Sequence, residues 1–170
     1  MEKIFRIIDQ TSTYVGKWAS FLVVVLTLAI GYDITVRYLF AMPNFWAYDM
    51  TIMLYGSYAI LGAAYCHARH GHVRMDLFYG KLSPRGKAIS DAICYLFLFF
   101  PLFTILLWKC GDHAIWSLLH GERSSASAWR PLIGPFKAII AFGILLFFVQ
   151  GLVDFLRNVI FIFKGEKHES

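Results

Sequence analysis

Polar residues interrupt this chain only at intervals, and the apolar stretches between them run on without the every-second-residue alternation of a half-buried strand. Four stretches stand out, residues 18–40, 46–66, 89–108 and 136–155, of 23, 21, 20 and 20 residues. A helix rising ~1.5 Å per residue needs about 20 residues to cross ~30 Å of hydrocarbon, so each is long enough to span a bilayer. Backbone groups in lipid must be satisfied within their own segment, which favours helices over a barrel when the apolar runs are continuous. The expectation is an all-α integral membrane protein, a single domain over residues 1–170 with four antiparallel transmembrane helices.

Local signals refine this pattern. In residues 1–17, Ile4, Phe5, Ile7 and Ile8 can face lipid while Lys3, Arg6 and Asp9 face water, which reads as a short amphipathic helix in the interface; an extended polar tail competes with that reading. Met42-Pro43-Asn44 makes a tight first turn, and Asp49 falls in the first turn of the second helix, where an acid complements the helix dipole. Gly56, Ala59 and Ala63 form a small-residue face suited to close helix approach. Ser83-Pro84 reads as a cap followed by a first-turn proline, and Pro101 is expected to kink the third span. Lys109 to Lys137 is the longest outer connection, with a turn at Gly121-Glu122-Arg123-Ser124-Ser125. Asp33 and Arg37 stand four apart in the favourable order for a helical ion pair. Gln150, Asp154 and Arg157 read as a helix end snorkelling to water.

Composition agrees with a membrane solvent: 58% of the residues are hydrophobic and only 16% charged, unlike a soluble domain. The net charge of +5 does not point to nucleic acid, because the basic residues are scattered over separate short segments and form no stripe. Their distribution sets orientation instead. With the N-terminal segment, the central loop and the C-terminal tail on one side, that side carries eleven Lys and Arg and the other five, so both termini are expected in the cytoplasm. The first apolar run is too long for a signal h-region and lacks a small-residue cleavage site, so the first helix is expected to stay as a signal anchor. Cys66, Cys94 and Cys110 form neither a C-x-x-C pair nor an even set, which argues against disulfide chemistry. His67, His70 and His72 invite a metal reading, but a solvent-side loop containing Gly71 does not supply converging ligands, and a basic interfacial loop is preferred.

Several short motifs fall at the ends of these segments in a fixed order: Arg37-Tyr38-Leu39-Phe40, Trp46 with Asp49, Ala68-Arg69 followed by His72-Val73-Arg74-Met75-Asp76, and Trp129-x-Pro131 with Lys137. In this order and spacing the chain resembles the small membrane subunit, DctQ type, of tripartite ATP-independent periplasmic (TRAP) transporters over nearly its whole length. It departs at Asp49, where the family more often has Glu. The resemblance implies a non-catalytic scaffold working with a large multi-span transport subunit that carries the substrate and sodium sites, and with a periplasmic solute-binding protein that delivers an organic acid. No cofactor is expected on this chain. Arg37, Asp49, Arg69, His72, Arg74 and Asp76 are the candidates for contact with the large subunit or with lipid headgroups. Trp129, Arg130 and Lys137 are the candidates facing the binding protein.

The residues themselves agree that this chain is poorly equipped to carry an anion alone. Substrate sites in secondary carriers lie near the midplane, whereas no Asp, Glu, Lys or Arg occurs in 18–32, 50–66, 92–108 or 138–153. No phosphate-binding G-x-x-x-x-G-K-[ST] loop is present, so ATP hydrolysis is not expected. The main rival is a four-helix membrane haem or electron-transfer protein using histidine pairs; it is disfavoured because His67, His70 and His72 are expected inside and His113 and His120 outside, across ~30 Å of hydrocarbon. A disulfide-forming quinone oxidoreductase would need paired outer cysteines, and a proton-coupled exporter would need a mid-span carboxylate.

Overall fold

Each apolar segment becomes a helix, and most of the helices run past the segment that announced them. The computed structural model describes residues 2–42, 44–69 and 83–164. The helices are α1 (Glu2–Leu39), α2 (Ala47–Ala68), α3 (Pro84–Cys94), α4 (Phe100–His120) and α5 (Gly134–Lys164), with a π-helical turn at Tyr95–Phe99 joining α3 to α4 as one rod. Among the described residues there is no strand, only one isolated antiparallel bridge between Arg123 and Leu132. Among the described residues three helices are long and apolar enough to cross a membrane: Phe5–Leu39, Arg85–His120 and Gly134–Phe163. The fourth helix, α2, has 22 residues, about 33 Å of rise. It is less apolar because Gly, Ser and Tyr occupy much of its middle.

The amphipathic segment expected at the start is not a separate interfacial helix. Residues 2–39 form one unbroken helix of 38 residues, about 57 Å long, well beyond the ~30 Å of hydrocarbon. No proline interrupts it, and Gly16 is tolerated because the Tyr65 side chain packs onto its bare backbone. Phe5, expected to face lipid, is buried beneath the Arg157 guanidinium, 5.6 Å from its ring centre. Likewise, part of the expected outer connection is helix: nothing breaks the backbone after Lys109 until Gly121, whose φ of +59° ends α4. Glu122 N–H then bonds Ser117 O at 3.1 Å, the long-range closure of a Schellman cap.

Ser83 caps α3 as expected, its Oγ accepting from Gly86 N–H at 3.2 Å with Pro84 at the first helical position. Pro101 is accommodated by the π turn that precedes it, in which Phe100 N–H reaches back to Tyr95 O. The extra residue in that turn makes room for a pyrrolidine ring that would otherwise meet the carbonyl four residues earlier.

Helices α2 and α5 form the central pair, with α1 packed mainly on α2 and the α3–α4 rod on α5. Neighbours in sequence run antiparallel: Tyr32 stacks on Trp46 at one end of α1–α2, and Gly16 meets Tyr65 towards the other. The α2–α5 pair is parallel, since Gly56, Ile60 and His67 meet Phe136, Gly143 and Asp154 in the same order. Small residues set these close approaches, though not all those expected. Gly56 lies under the Phe136 ring and Gly143 under Ile60, where an added Cβ would approach within 2.8 Å, whereas Ala59 is exposed and Ala64 is the fully buried alanine. The apolar interior between α4 and α5 is largely aromatic: Phe99 stacks on Phe103 at 4.5 Å, and Phe103 lies 4.9 Å from Phe147.

Candidate functional site

The charged residues of the described helices lie towards the two ends of the bundle. At the end carrying the 121–133 connection, Asp49 sits in the first turn of α2 and is only 4% exposed. Its carboxylate accepts hydrogen bonds from Ser124 Oγ at 2.8 Å and from Ser127 Oγ. Each serine oxygen in turn accepts a backbone N–H, from Ala126 and Trp129 respectively. Ser124 N–H to Pro131 O and Ile133 N–H to Glu122 O, at 2.9 and 3.0 Å, close the base of the loop. Lys137 at the start of α5 donates to Glu122 Oε2 at 2.5 Å. That ammonium, with a smaller contribution from Ser117, holds the Glu122 carboxyl below the ordinary carboxylate range.

This geometry assigns places to the residues expected to act here. Asp49, Trp129, Arg130 and Lys137 belong to one assembly at this end of the bundle instead of two separate surfaces. Asp49 faces inward and organises the loop from below, and Lys137 clamps its stem. Trp129, 45% exposed, and Arg130 are displayed on top. Arg130 adopts φ +47°, its N–H bonded to Ser127 O, while its own carbonyl accepts from Arg123. Arg37 stands at the same end of the bundle on α1, its guanidinium 58% exposed and paired with Asp33 at 2.6 Å as the spacing predicted. The other Asp33 oxygen and the Asn44 amide nitrogen are buried without a partner among the described residues.

At the opposite end the structure overturns the reading of Gln150, Asp154 and Arg157 as a snorkelling helix terminus. Gln150 is fully buried; its amide donates to Asp9 Oδ1 at 2.8 Å and its carbonyl accepts from Ser12 Oγ at 3.2 Å. Arg157 bonds Asp9 at 2.5 Å and Asp154 at 3.4 Å. Asp154, also buried, lies 3.3 Å from His67 Nε2, which is 3.2 Å from the Tyr95 hydroxyl. One network therefore joins α1, α2, the π turn and α5. Snorkelling fails because α1 continues alongside α5 here and brings Asp9 and Ser12 to meet these groups, and paired, hydrogen-bonded ions can then stay out of water. A trace was present in the sequence, since residues 150, 154 and 157 recur at i, i+4 and i+7 on one face. Arg69 lies beside this network, exposed, with its guanidinium 5.7 Å from the Tyr65 ring centre. His72, Arg74 and Asp76 lie outside the described residues.

Among the described residues no group of three or more His, Cys, Asp or Glu side chains is disposed to hold a metal ion. Cys66, Cys94 and Cys110 are free thiols.

No relative is matched among curated proteins. The profile of one family, described as "Tripartite ATP-independent periplasmic transporters, DctQ component", matches residues 14–160, from the fourth turn of α1 to the last turns of α5. That match covers most of the chain, and together with the apolar spans it means that this protein belongs to the DctQ-component family and is an inner-membrane component of a TRAP transporter.

Proposed function

We propose that this chain is the non-catalytic small subunit of a sodium-coupled, binding-protein-dependent importer of organic acids, and that it works as a scaffold for the large transport subunit. The observation that carries the reading is the placement of its polar groups. Segments 18–32, 50–66, 92–108 and 138–153 hold no Asp, Glu, Lys or Arg. At both ends of the bundle the buried carboxylates of Asp49 and Asp154 are committed to contacts within the chain. A solute would meet aromatic and aliphatic side chains at mid-depth, whereas secondary carriers place polar groups or interrupted helices there. Two polar ties at opposite ends make a stiff body against which a moving partner could work. In the hydropathic core of the α3–α4 rod no position is buried, which leaves a broad apolar face for lipid or for the helices of the large subunit.

In this reading both termini are cytoplasmic, the sodium sites belong to the large subunit, and Trp129 and Arg130 face the periplasmic binding protein. Arg37 and Arg69 are the contacts to the large subunit or to headgroups, joined by His72, Arg74 and Asp76. The test is reconstitution. The chain alone in vesicles should move no organic acid on a sodium gradient, and uptake should require the large subunit and the binding protein together. Sodium-driven uptake by the isolated chain would overturn the proposal. Unchanged co-purification and uptake after Arg37→Gln and Asp76→Asn would remove those two positions from the interface.

A further inference from the structure

Beside the inner network, and sharing only Asp9 with it, lies an open cavity of about 450 Å³ between the first four turns of α1 and the end of α2. Three of its lining residues are cations, Arg6, Lys17 and Arg69, and one is an acid, Asp9. Asp9 is already bound by Arg157 and Gln150, so its charge is answered from α5. Among the described residues neither Arg6 nor Lys17 has a carboxylate partner. Among the described residues the cavity is thus left with uncompensated positive charge and with the neutral hydrogen-bonding side chains of Gln10 and Thr13 between the cations.

The placement of Arg69 is built into the helix packing. Gly16 lets α2 approach until Tyr65 rests on the α1 backbone, and the Arg69 guanidinium lies over that same ring. Because α1 and α2 are antiparallel, Arg69, one turn beyond Tyr65, falls at the level of Gln10 and Thr13, between Arg6 and Lys17. Depth in the membrane is marked independently. Tyr14, which lines the cavity, makes an edge-on pair with Trp18 at 6.2 Å, and both rings are mostly exposed. Exposed Tyr and Trp at the end of an apolar span mark the headgroup layer.

We infer that this cavity is a binding site for an anionic phospholipid, with the phosphodiester held by Lys17 and Arg69 beneath the Tyr14–Trp18 pair and the rest of the headgroup turned towards Arg6. The inference rests on the reading of this end of the bundle as membrane interface, and it deepens the assignment of Arg69 by giving it a ligand class and two partners. The volume lies within the ~300–1,000 Å³ usual for small-ligand pockets. A phosphate with a net negative headgroup suits three cations better than a zwitterionic one does, because a choline ammonium would be repelled by the third.

The test is native mass spectrometry of the full chain, kept with any membrane subunit that co-purifies, titrated with phosphatidylglycerol, phosphatidylcholine or inorganic phosphate. Phosphatidylglycerol should bind more tightly than phosphatidylcholine. Each cation near an anionic headgroup contributes about fivefold, so Arg6→Gln/Lys17→Gln/Arg69→Gln should weaken phosphatidylglycerol binding by roughly a hundredfold. Lys109→Gln/Arg123→Gln, which removes cations elsewhere, should leave it unchanged. If the triple variant does not fold, Arg6→Gln alone, at an exposed helical position, should still weaken binding by about fivefold. Equal affinity for the two lipids, or phosphatidylglycerol binding unaltered in the variants, overturns the site. Inorganic phosphate displacing the lipid at equal affinity overturns the membrane assignment and leaves a soluble phosphate as the ligand. Lipid binding in detergent needs no transport, so failure here leaves the scaffold proposal standing, and sodium-driven uptake by the isolated chain would leave this site standing.

Discussion

Replacing Asp49 by alanine should free the 121–133 loop while leaving the bundle intact. The carboxylate accepts from Ser124 and Ser127, and hydrogen bonds to a charged acceptor contribute about 1.5–3 kcal/mol each. Removal also strands the buried Ser124 hydroxyl, whereas release of a desolvated charge returns part of the loss. The net cost to the closed loop is about 3 kcal/mol, or roughly a 150-fold rise in the loop-open population. Hydrogen exchange reads that population directly. The amides of Ala126 and Trp129, bonded to the two serine oxygens, and those of Ser124 and Ile133 at the loop base should exchange roughly 150-fold faster. Amides of α5 around Gln150 should not change, because they lie at the far end of the bundle. Asp49→Asn, which keeps one acceptor oxygen, should show about half the free-energy effect. Acceleration below about threefold in Asp49→Ala would mean that the loop is held by its own backbone and that the carboxylate is incidental.

Four further outcomes follow from the packing and the charge pairs. A double-mutant cycle on Asp9→Asn and Arg157→Gln, followed by thermal unfolding in detergent, should give a coupling of about 1–3 kcal/mol, since the pair is half-buried and shares partners with Gln150 and Asp154; additive effects would refute the network. Gly16→Ala should destabilise the α1–α2 pair by about 1–3 kcal/mol, because the new methyl meets the Tyr65 Cβ, which cannot swing aside. Gly62→Ala, with open space around it, should be neutral or stabilising by up to about 1 kcal/mol in the same melt. The Glu122–Lys137 clamp should depend on pH in one direction. Glu122 is shifted below its ordinary value, so the clamp is complete above the usual carboxylate range, near pH ~4.3, and is lost as pH falls through the depressed value. Exchange of the Ile133 amide against pH should show that acid-side rise, and Glu122→Gln should abolish it.

The two polar ties also bear on how a helical bundle of this kind stays rigid in lipid. Lipid gives apolar helices little reason to associate, because hydrocarbon tails are as apolar as leucine. Small residues at close crossings and hydrogen bonds across helices supply the association instead. Here Gly16, Gly56, Gly143 and Gly151 permit the approach, and the Gln150 network and the Asp49 loop fix its register from either end. Breaking one tie should loosen one end only, which is why the Asp49 prediction carries an internal control at Gln150.

Length and continuity of the apolar runs were enough to determine helices in a membrane, because a segment's transfer into lipid and its backbone hydrogen bonds depend on that segment alone. The Ser83 cap and the Asp33–Arg37 pair were equally legible, since their partners lie within one helical turn. What only the tertiary structure decided is which polar groups meet. Asp9 and Gln150 are 141 positions apart, and Asp49 and Ser124 are 75 apart. Read singly, Asp154 and Arg157 look like a helix end reaching for water and Asp49 like a dipole-complementing acid. Their burial follows from the continuation of α1 past the membrane, the parallel contact of α2 with α5, and the folding of residues 121–133 back over α2. A buried charge is tolerated only where its partner is delivered by another element, and no local pattern reports that delivery.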